Sequence, residues 1–131
     1  MLHRTRILIA EDNSDLRLLL ESELTLRGYD VQSFPDPISA MMSLLEEGTV
    51  DVVISDFEMR EASGIDFYKA LRESQFTMPF ILMSGNTEIR TSEVKSLGIA
   101  EFIEKPFSVS QIDTVIKDLL RENRETILQV I

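Results

Sequence analysis

A single α/β domain, with five parallel strands alternating with five helices in a doubly wound (βα)5 sheet, is what this sequence predicts. Three observations carry that prediction. The chain has 131 residues, enough for one domain and too few for two. Short apolar runs rich in β-branched residues alternate with longer segments of helical period. The runs Ile7-Leu8-Ile9 and Val52-Val53-Ile54 are continuous in apolar character, as strands covered on both faces must be.

The first strand is read at Ile7–Ala10, and the first helix starts at Ser14. Leu16, Leu19, Leu20 and Leu24 follow at helical spacing, and Gly28 stops the helix. The second strand is Val31–Phe34. Asp36 is then an N-cap and Pro37 the first helical residue of a helix carrying Ile38, Met41, Met42 and Leu45 to Gly48. The third strand, Val52–Ser55, precedes a helix from about Gly64 to Ser74 that turns Ile65, Tyr68 and Leu71 inward. The fourth strand, Phe80–Met83, precedes a helix from Glu88 to Leu97 that closes at Gly98. Glu101–Glu104 is the fifth strand. The last helix begins near Ser108 with Val109, Ile112, Val115, Ile116, Leu119 and Leu120. Parallel strands joined by right-handed helical crossovers can take the order 2-1-3-4-5, with the first and third strands adjacent at the switch point.

Composition narrows the function. The 44% hydrophobic content supports a core without a staple, and the chain has no cysteine, which excludes thiol catalysis. With 23 acidic against 13 basic residues the formal net charge is −10, the wrong sign for direct phosphate neutralisation on nucleic acid. No run approaches the ~20 apolar residues of a membrane span, so a cytoplasmic location is the expectation. The one histidine, His3, sits at the N-terminus, which leaves no internal histidine as a phosphodonor. Met41 and Met42 are read as core filling.

The chemistry gathers at strand ends. The first strand ends in Glu11-Asp12 and the third in Asp56. Adjacent strands lie about 4.8 Å apart, so three carboxylates share one crevice and at least one has a raised pKa. Each acid alone reads as an ordinary loop or capping residue. Together they form a site for a hard divalent cation with oxygen ligands such as Mg²⁺. The fourth strand ends in Ser84-Gly85 and the fifth in Lys105-Pro106, which add a hydroxyl and a positive charge. A carboxylate nucleophile, a cation site and two phosphoryl contacts are the parts of a phosphoryl-transfer site.

Four segments carry a family resemblance: Ile7-Leu8-Ile9-Ala10-Glu11-Asp12-Asn13, Val52-Val53-Ile54-Ser55-Asp56, Leu82-Met83-Ser84-Gly85, and Phe102-Ile103-Glu104-Lys105-Pro106-Phe107. In this order they resemble the receiver domain of bacterial response regulators, the CheY-like domain of two-component signal transduction. The resemblance covers about residues 6–120 of a single receiver domain spanning 1–131. It implies that Asp56 accepts a phosphoryl group from the phosphohistidine of a sensor kinase or histidine phosphotransfer protein. Glu11 and Asp12, with Asp56 and the backbone carbonyl of Glu58, would hold Mg²⁺. Lys105 would pair with the phosphoryl oxygens, Ser84 would hydrogen-bond to them, and Phe102 would be the aromatic switch residue. Lys105-Pro106 would be a cis peptide. Signalling would leave through the face of the fourth helix, fifth strand and fifth helix to a protein target. The domain would aid its own phosphorylation and dephosphorylation without being an enzyme in its own right.

The chain departs from the family pattern at Met59-Arg60, where a Met-Pro pair is common, and a looser loop is expected there. Glu58 and Asn86 flank the expected phosphoryl position and are candidates for tuning its lifetime. Beyond Leu120, the charged Arg121–Arg124 run is followed by Ile127, Leu128, Val130 and Ile131. These resume the apolar pattern, and Asn123 and Ile127 roughly extend the stripe of Ile112, Ile116 and Leu119/Leu120. A projecting helix, a frayed tail and the start of a linker all fit, and a homodimer through this helix or through the fourth helix, fifth strand and fifth helix is open. Three rivals complete the reading. One is an aspartyl phosphatase of the haloacid dehalogenase type, whose Asp-x-Asp motif differs from Asp56-Phe57-Glu58 and belongs after the first strand. Another is a flavodoxin-like cofactor binder of the same strand order, whose phosphate Glu11-Asp12 would repel. The third is a receiver-like scaffold that is never phosphorylated, although every reactive position is filled.

Overall fold

The computed structural model describes residues 3–86 and 88–130, apart from the side chain of Asn123. The elements run β1 (Arg6–Ala10), α1 (Ser14–Leu26), β2 (Asp30–Phe34), α2 (Pro37–Glu47), β3 (Val52–Asp56), α3 (Gly64–Glu73), β4 (Phe80–Ser84), α4 (Thr91–Ser96), β5 (Glu101–Glu104) and α5 (Val109–Val130). The five strands form one parallel sheet in the order β2-β1-β3-β4-β5, the flavodoxin-like order expected from the alternation.

Alternating side chains explain the continuous apolar runs. Leu8 and Ala10 of β1 face the side covered by α2, α3 and α4, in one cluster with Val53, Phe67, Leu71, Phe80 and Leu82. Ile7 and Ile9 face α1 and α5, in a second cluster with Leu20, Leu24, Ile54, Met83, Ile112 and Ile116. Every one of these side chains is buried, so each central strand needs apolar residues at both parities.

The helix starts follow capping chemistry. Asn13 Oδ1 accepts the Leu16 N–H at 3.0 Å, and Asp36 Oδ1 accepts the Ser39 N–H at 2.7 Å ahead of Pro37. Ser63 and Asp66 form a reciprocal capping box on α3. Gly28, Gly48 and Gly98 stop three helices at positive φ.

Three expectations need correction. The fourth helix starts at Thr91, not at Glu88. Asn86 Oδ1 accepts the Glu88 N–H at 2.9 Å in a tight turn, and Arg90 at the N-cap offers no side-chain acceptor. The second helix buries Pro37, Ala40 and Leu44. This phase leaves Ile38, Met42 and Leu45 exposed, so Met42 is not core filling, whereas Met41 packs against the core. Leu19 of α1 is likewise exposed while Leu20 and Leu24 are buried. At the C-terminal end, α5 continues as helix to Val130, with Ile127, Leu128 and Val130 exposed. Its 22 residues span about 33 Å at about 1.5 Å per residue. Ile131 and the Asn123 side chain lie outside the described residues. Among the described residues, no helix is long and apolar enough to cross a membrane.

Candidate functional site

Register brings the reactive residues to one rim. Ala10 of β1 lies opposite Ser55 of β3, Asp56 opposite Met83 of β4, and Ser84 opposite Glu104 of β5. Glu11, Asp56, Ser84 and Lys105 are therefore each the last residue of a strand or the first beyond one. Asp56 and Ser84 belong to the strands themselves, one residue further than the apolar runs suggested.

Glu11, Asp12 and Asp56 each present a carboxylate oxygen, and these oxygens lie within 4.8 Å of one another. Glu11 is fully buried and Asp56 nearly so. Lys105 Nζ reaches across from β5, 3.2 Å from Glu11 Oε1 and 3.1 Å from Asp56 Oδ1. The crevice measures about 430 Å³ and is lined also by Asn13, Glu58, Met59 and Arg60.

The electrostatics are those of crowded like charge. Burial, and then the negative charge of Asp56, push the Glu11 carboxyl up to about 7; the Asn13 N–H and Lys105 oppose the shift. Burial pulls the Lys105 ammonium down, but Glu11 and Asp56 outweigh it and hold the group charged above its ordinary range. Lys105 and Arg60 do not balance the four acidic residues of the lining, Glu11, Asp12, Asp56 and Glu58. The donor set is all hard oxygen, partly buried and in excess of its counter-charge, which fits a divalent cation such as Mg²⁺.

Backbone hydrogen bonds tie the strand ends of the site together. The Phe57 N–H donates to Met83 O at 2.7 Å, the Gly64 N–H to Phe57 O at 2.8 Å, and the Lys105 N–H to Ser84 O at 2.9 Å. A Cβ on Gly64 would overlap the Asp56 carbonyl oxygen, so only glycine lets the start of α3 pass so close to Asp56. That contact, with the Gly64–Phe57 hydrogen bond, closes the Arg60 loop. The Lys105-Pro106 peptide is cis.

The remaining candidates sit around this centre. Ser84 is buried, lies outside the crevice lining, and its hydroxyl accepts the Asn86 N–H at 2.9 Å. Phe102 is buried, in the same apolar cluster as Leu82, Val94 and Ile99. Glu58 is exposed at the crevice, whereas the Asn86 side chain is engaged with its own turn. His3 Nε2 stands 3.2 Å from an Asp51 oxygen.

Two supports escaped the sequence reading. Arg17 Nη1 donates to the Glu11 carbonyl at 2.8 Å, and the Asn13 N–H donates to Glu11 Oε2 at 3.2 Å. Asn13 carries a signal, a capping residue just ahead of an apolar-periodic helix. Arg17 carries none, because an arginine one turn into a helix is ordinarily solvated.

Residues 7–117 match the family described as the response regulator receiver domain. The response regulator SaeR of Staphylococcus epidermidis is 30% identical over 117 residues, which is 88% of this chain and 50% of that protein. The regulatory protein AtoC of Escherichia coli K12 is 28% identical over 88% of this chain and 25% of its own length. The chain thus spans a quarter to a half of these curated relatives. The response regulator TrrA of Thermotoga maritima, solved in complex with Mg²⁺ and BeF, superposes with a TM-score of 0.77 at 28% identity, over 88% of this chain and 98% of that one. Strand order, strand-end carboxylates and a match over most of the sequence agree, and the chain belongs to the response regulator receiver domain family.

Proposed function

We propose that this chain is a phosphorylation-switched receiver in which Asp56 accepts a phosphoryl group from the phosphohistidine of a sensor kinase or phosphotransfer protein. The observation that carries the proposal is Lys105 Nζ held within 3.2 Å of both Glu11 and Asp56 inside a crevice of three carboxylates. In the transfer, an Asp56 carboxylate oxygen forms the new O–P bond as the P–N bond to the donor histidine breaks. The bonding pair leaves with the imidazole nitrogen, which takes a proton from solvent. Little covalent work falls to the protein; positioning and charge neutralisation do the rest.

Glu11, Asp12, Asp56 and the Glu58 carbonyl are the groups that would hold Mg²⁺, which supplies positive charge against the phosphoryl oxygens. Lys105 gives up its two carboxylate contacts in part and pairs with a phosphoryl oxygen. Ser84 supports the same group by releasing the Asn86 N–H and turning its hydroxyl toward the crevice. Movement of Ser84 and Phe102 then alters the surface of α4, β5 and α5, where a protein target is bound. Residues 6–120 form the receiver unit, and the extended α5 offers a helical surface for a partner or a second copy. No nucleic acid is contacted directly, in keeping with the net charge of −10.

Intact-protein mass after incubation with acetyl phosphate, with and without Mg²⁺, tests the site. The expected result is one phosphoryl adduct that requires Mg²⁺ and is absent in Asp56→Asn. An unmodified wild type, with a phosphorylated histidine kinase also failing as donor, overturns the reading.

A further inference from the structure

The exposed residues of α2 are not scattered. Ile38, Met42 and Leu45 are each more than half exposed and recur at helical spacing on the outer face of the helix. Single exposed apolar residues need no explanation, but a stripe beside an apolar groove does. Such a groove of about 380 Å³ runs between α2 and α3, walled by Ile38, Met41, Met42, Ala62, Phe67 and Ala70. On the other side of α2, Met42 also borders an open cleft over the edge strand β2, where Glu21, Glu46 and Glu47 line the wall. One helix therefore separates an apolar groove from an acidic shelf, and Met42 belongs to both.

We infer that this surface docks a basic amphipathic helix of a partner protein, lying along α2. Its apolar side chains would enter the α2–α3 groove, as helix-in-groove recognition requires anchors at i, i+3, i+4 and i+7. Its lysines or arginines would reach over Met42 to Glu21, Glu46 and Glu47. Charge selects the occupant. A second copy of this chain carries a net charge of −10 and is disfavoured against an acidic shelf, whereas a cationic helix is steered toward it. The docking does not depend on the Asp56 chemistry, although residues 57–63 contribute Met59 and Arg60 to the phosphoacceptor crevice and Ala62 to this groove.

The test is a titration of isotope-labelled protein, followed by NMR, with two synthetic peptides. Both carry leucines at i, i+3, i+4 and i+7; one has lysines beside them and the other has glutamates. The expected result is a set of shifts centred on Ile38, Met42, Ala62 and Ala70, and at least tenfold tighter binding of the lysine peptide, weakened by salt. Met42→Asp is expected to reduce that binding at least tenfold, and Glu46→Lys with Glu47→Lys to remove the salt dependence. Unchanged circular dichroism and an unchanged acetyl phosphate adduct establish that these variants fold. Equal affinity for both peptides, shifts confined to other helices, or no binding at millimolar peptide overturns the inference. So do groove signals that shift with protein concentration alone, which would make the occupant a second copy.

Discussion

Lys105 Nζ lies 3.1 Å from Asp56 Oδ1, so the proposed nucleophile is paired with the cation that would later hold its product. A pairing this tight lowers the energy of the free carboxylate, and its benefit to transfer comes only if the lysine gains more from the phosphoryl oxygens. Lys105→Met therefore has two expected effects. Transfer from acetyl phosphate to Asp56 slows by roughly 10- to 100-fold, or about 1.4–2.8 kcal/mol of transition-state stabilisation. The Glu11 carboxyl, losing an opposing charge, titrates above about 7, since burial and Asp56 then act without Lys105. Single-turnover rates by mass and a side-chain carboxyl NMR titration check the two effects. An unchanged rate removes Lys105 from the transfer.

Gly64 is the point at which α3 meets the site. Gly64→Ala forces a methyl into the Asp56 carbonyl oxygen and against Leu82 Cδ1, which would lie 2.7 Å away. Overpacking of this kind costs about 1–3 kcal/mol. Because one obstacle is the backbone of Asp56 itself, phosphorylation is also expected to slow. Stability from urea unfolding and the adduct rate should both fall. A variant as stable as wild type would mean that the loop gives way, and the close approach would not be required.

The fold was largely legible because its signals are local. Ile7-Leu8-Ile9 and Val52-Val53-Ile54 announce strands covered on both faces, and Asp36-Pro37 announces a capped helix start. The carboxylate site was legible because strand order converts distant Glu11 and Asp56 into neighbours. The start of α4 was misread since Glu88 fits a helix as well as it fits the Asn86 turn that captures its N–H. The phase of α2 was misread because Ile38 and Met42 look as apolar as Ala40 and Leu44, and only the small size of Ala40 hints at which face meets the sheet. Contacts such as Arg17 to Glu11, or Tyr29 to Asp113, join residues whose types leave no trace of the partner.

The buried Asp113 of α5 gives a pH test of stability. The Tyr29 hydroxyl donates to it, Arg27 Nη1 stands 3.0 Å from it and Lys117 Nζ 3.2 Å. Burial pushes its carboxyl up, but the hydrogen bonds from Tyr29, Arg27 and Lys117 outweigh burial and hold it below the ordinary carboxylate value. A carboxyl depressed in the folded state contributes stability above its unfolded pKa, and that contribution is lost as pH falls through the folded one. Asp113→Asn is expected to be destabilised at pH 7 and to approach wild type at pH 3. Tyr29→Phe should cost about 1.5–3 kcal/mol, the worth of a hydrogen bond to a charged group. Urea unfolding across this range decides the matter. A gap between wild type and Asp113→Asn that does not change with pH means the ionised carboxylate is not what joins α5 to the β2 end of α1.

The lifetime of the phosphoryl group should be set by Glu58 and Asn86, acting in different ways. Glu58 is exposed at the mouth of the crevice, where its carboxylate repels or orients an attacking water. Asn86 acts through the backbone: its N–H holds the Ser84 hydroxyl at 2.9 Å, and its side chain fixes the turn by accepting the Glu88 N–H. Glu58→Ala therefore changes the charge at the mouth, and Asn86→Ala loosens the hold on Ser84. Each is expected to change the dephosphorylation rate several-fold while leaving Mg²⁺ affinity within about twofold, since neither side chain belongs to the Glu11, Asp12 and Asp56 cluster. The decay of the aspartyl phosphate, followed by intact mass after removal of acetyl phosphate, measures the first quantity, and a Mg²⁺ titration measures the second. Equal decay in wild type and both variants would sink the assignment, and a large loss of Mg²⁺ affinity in Glu58→Ala would move that side chain into the cation site instead.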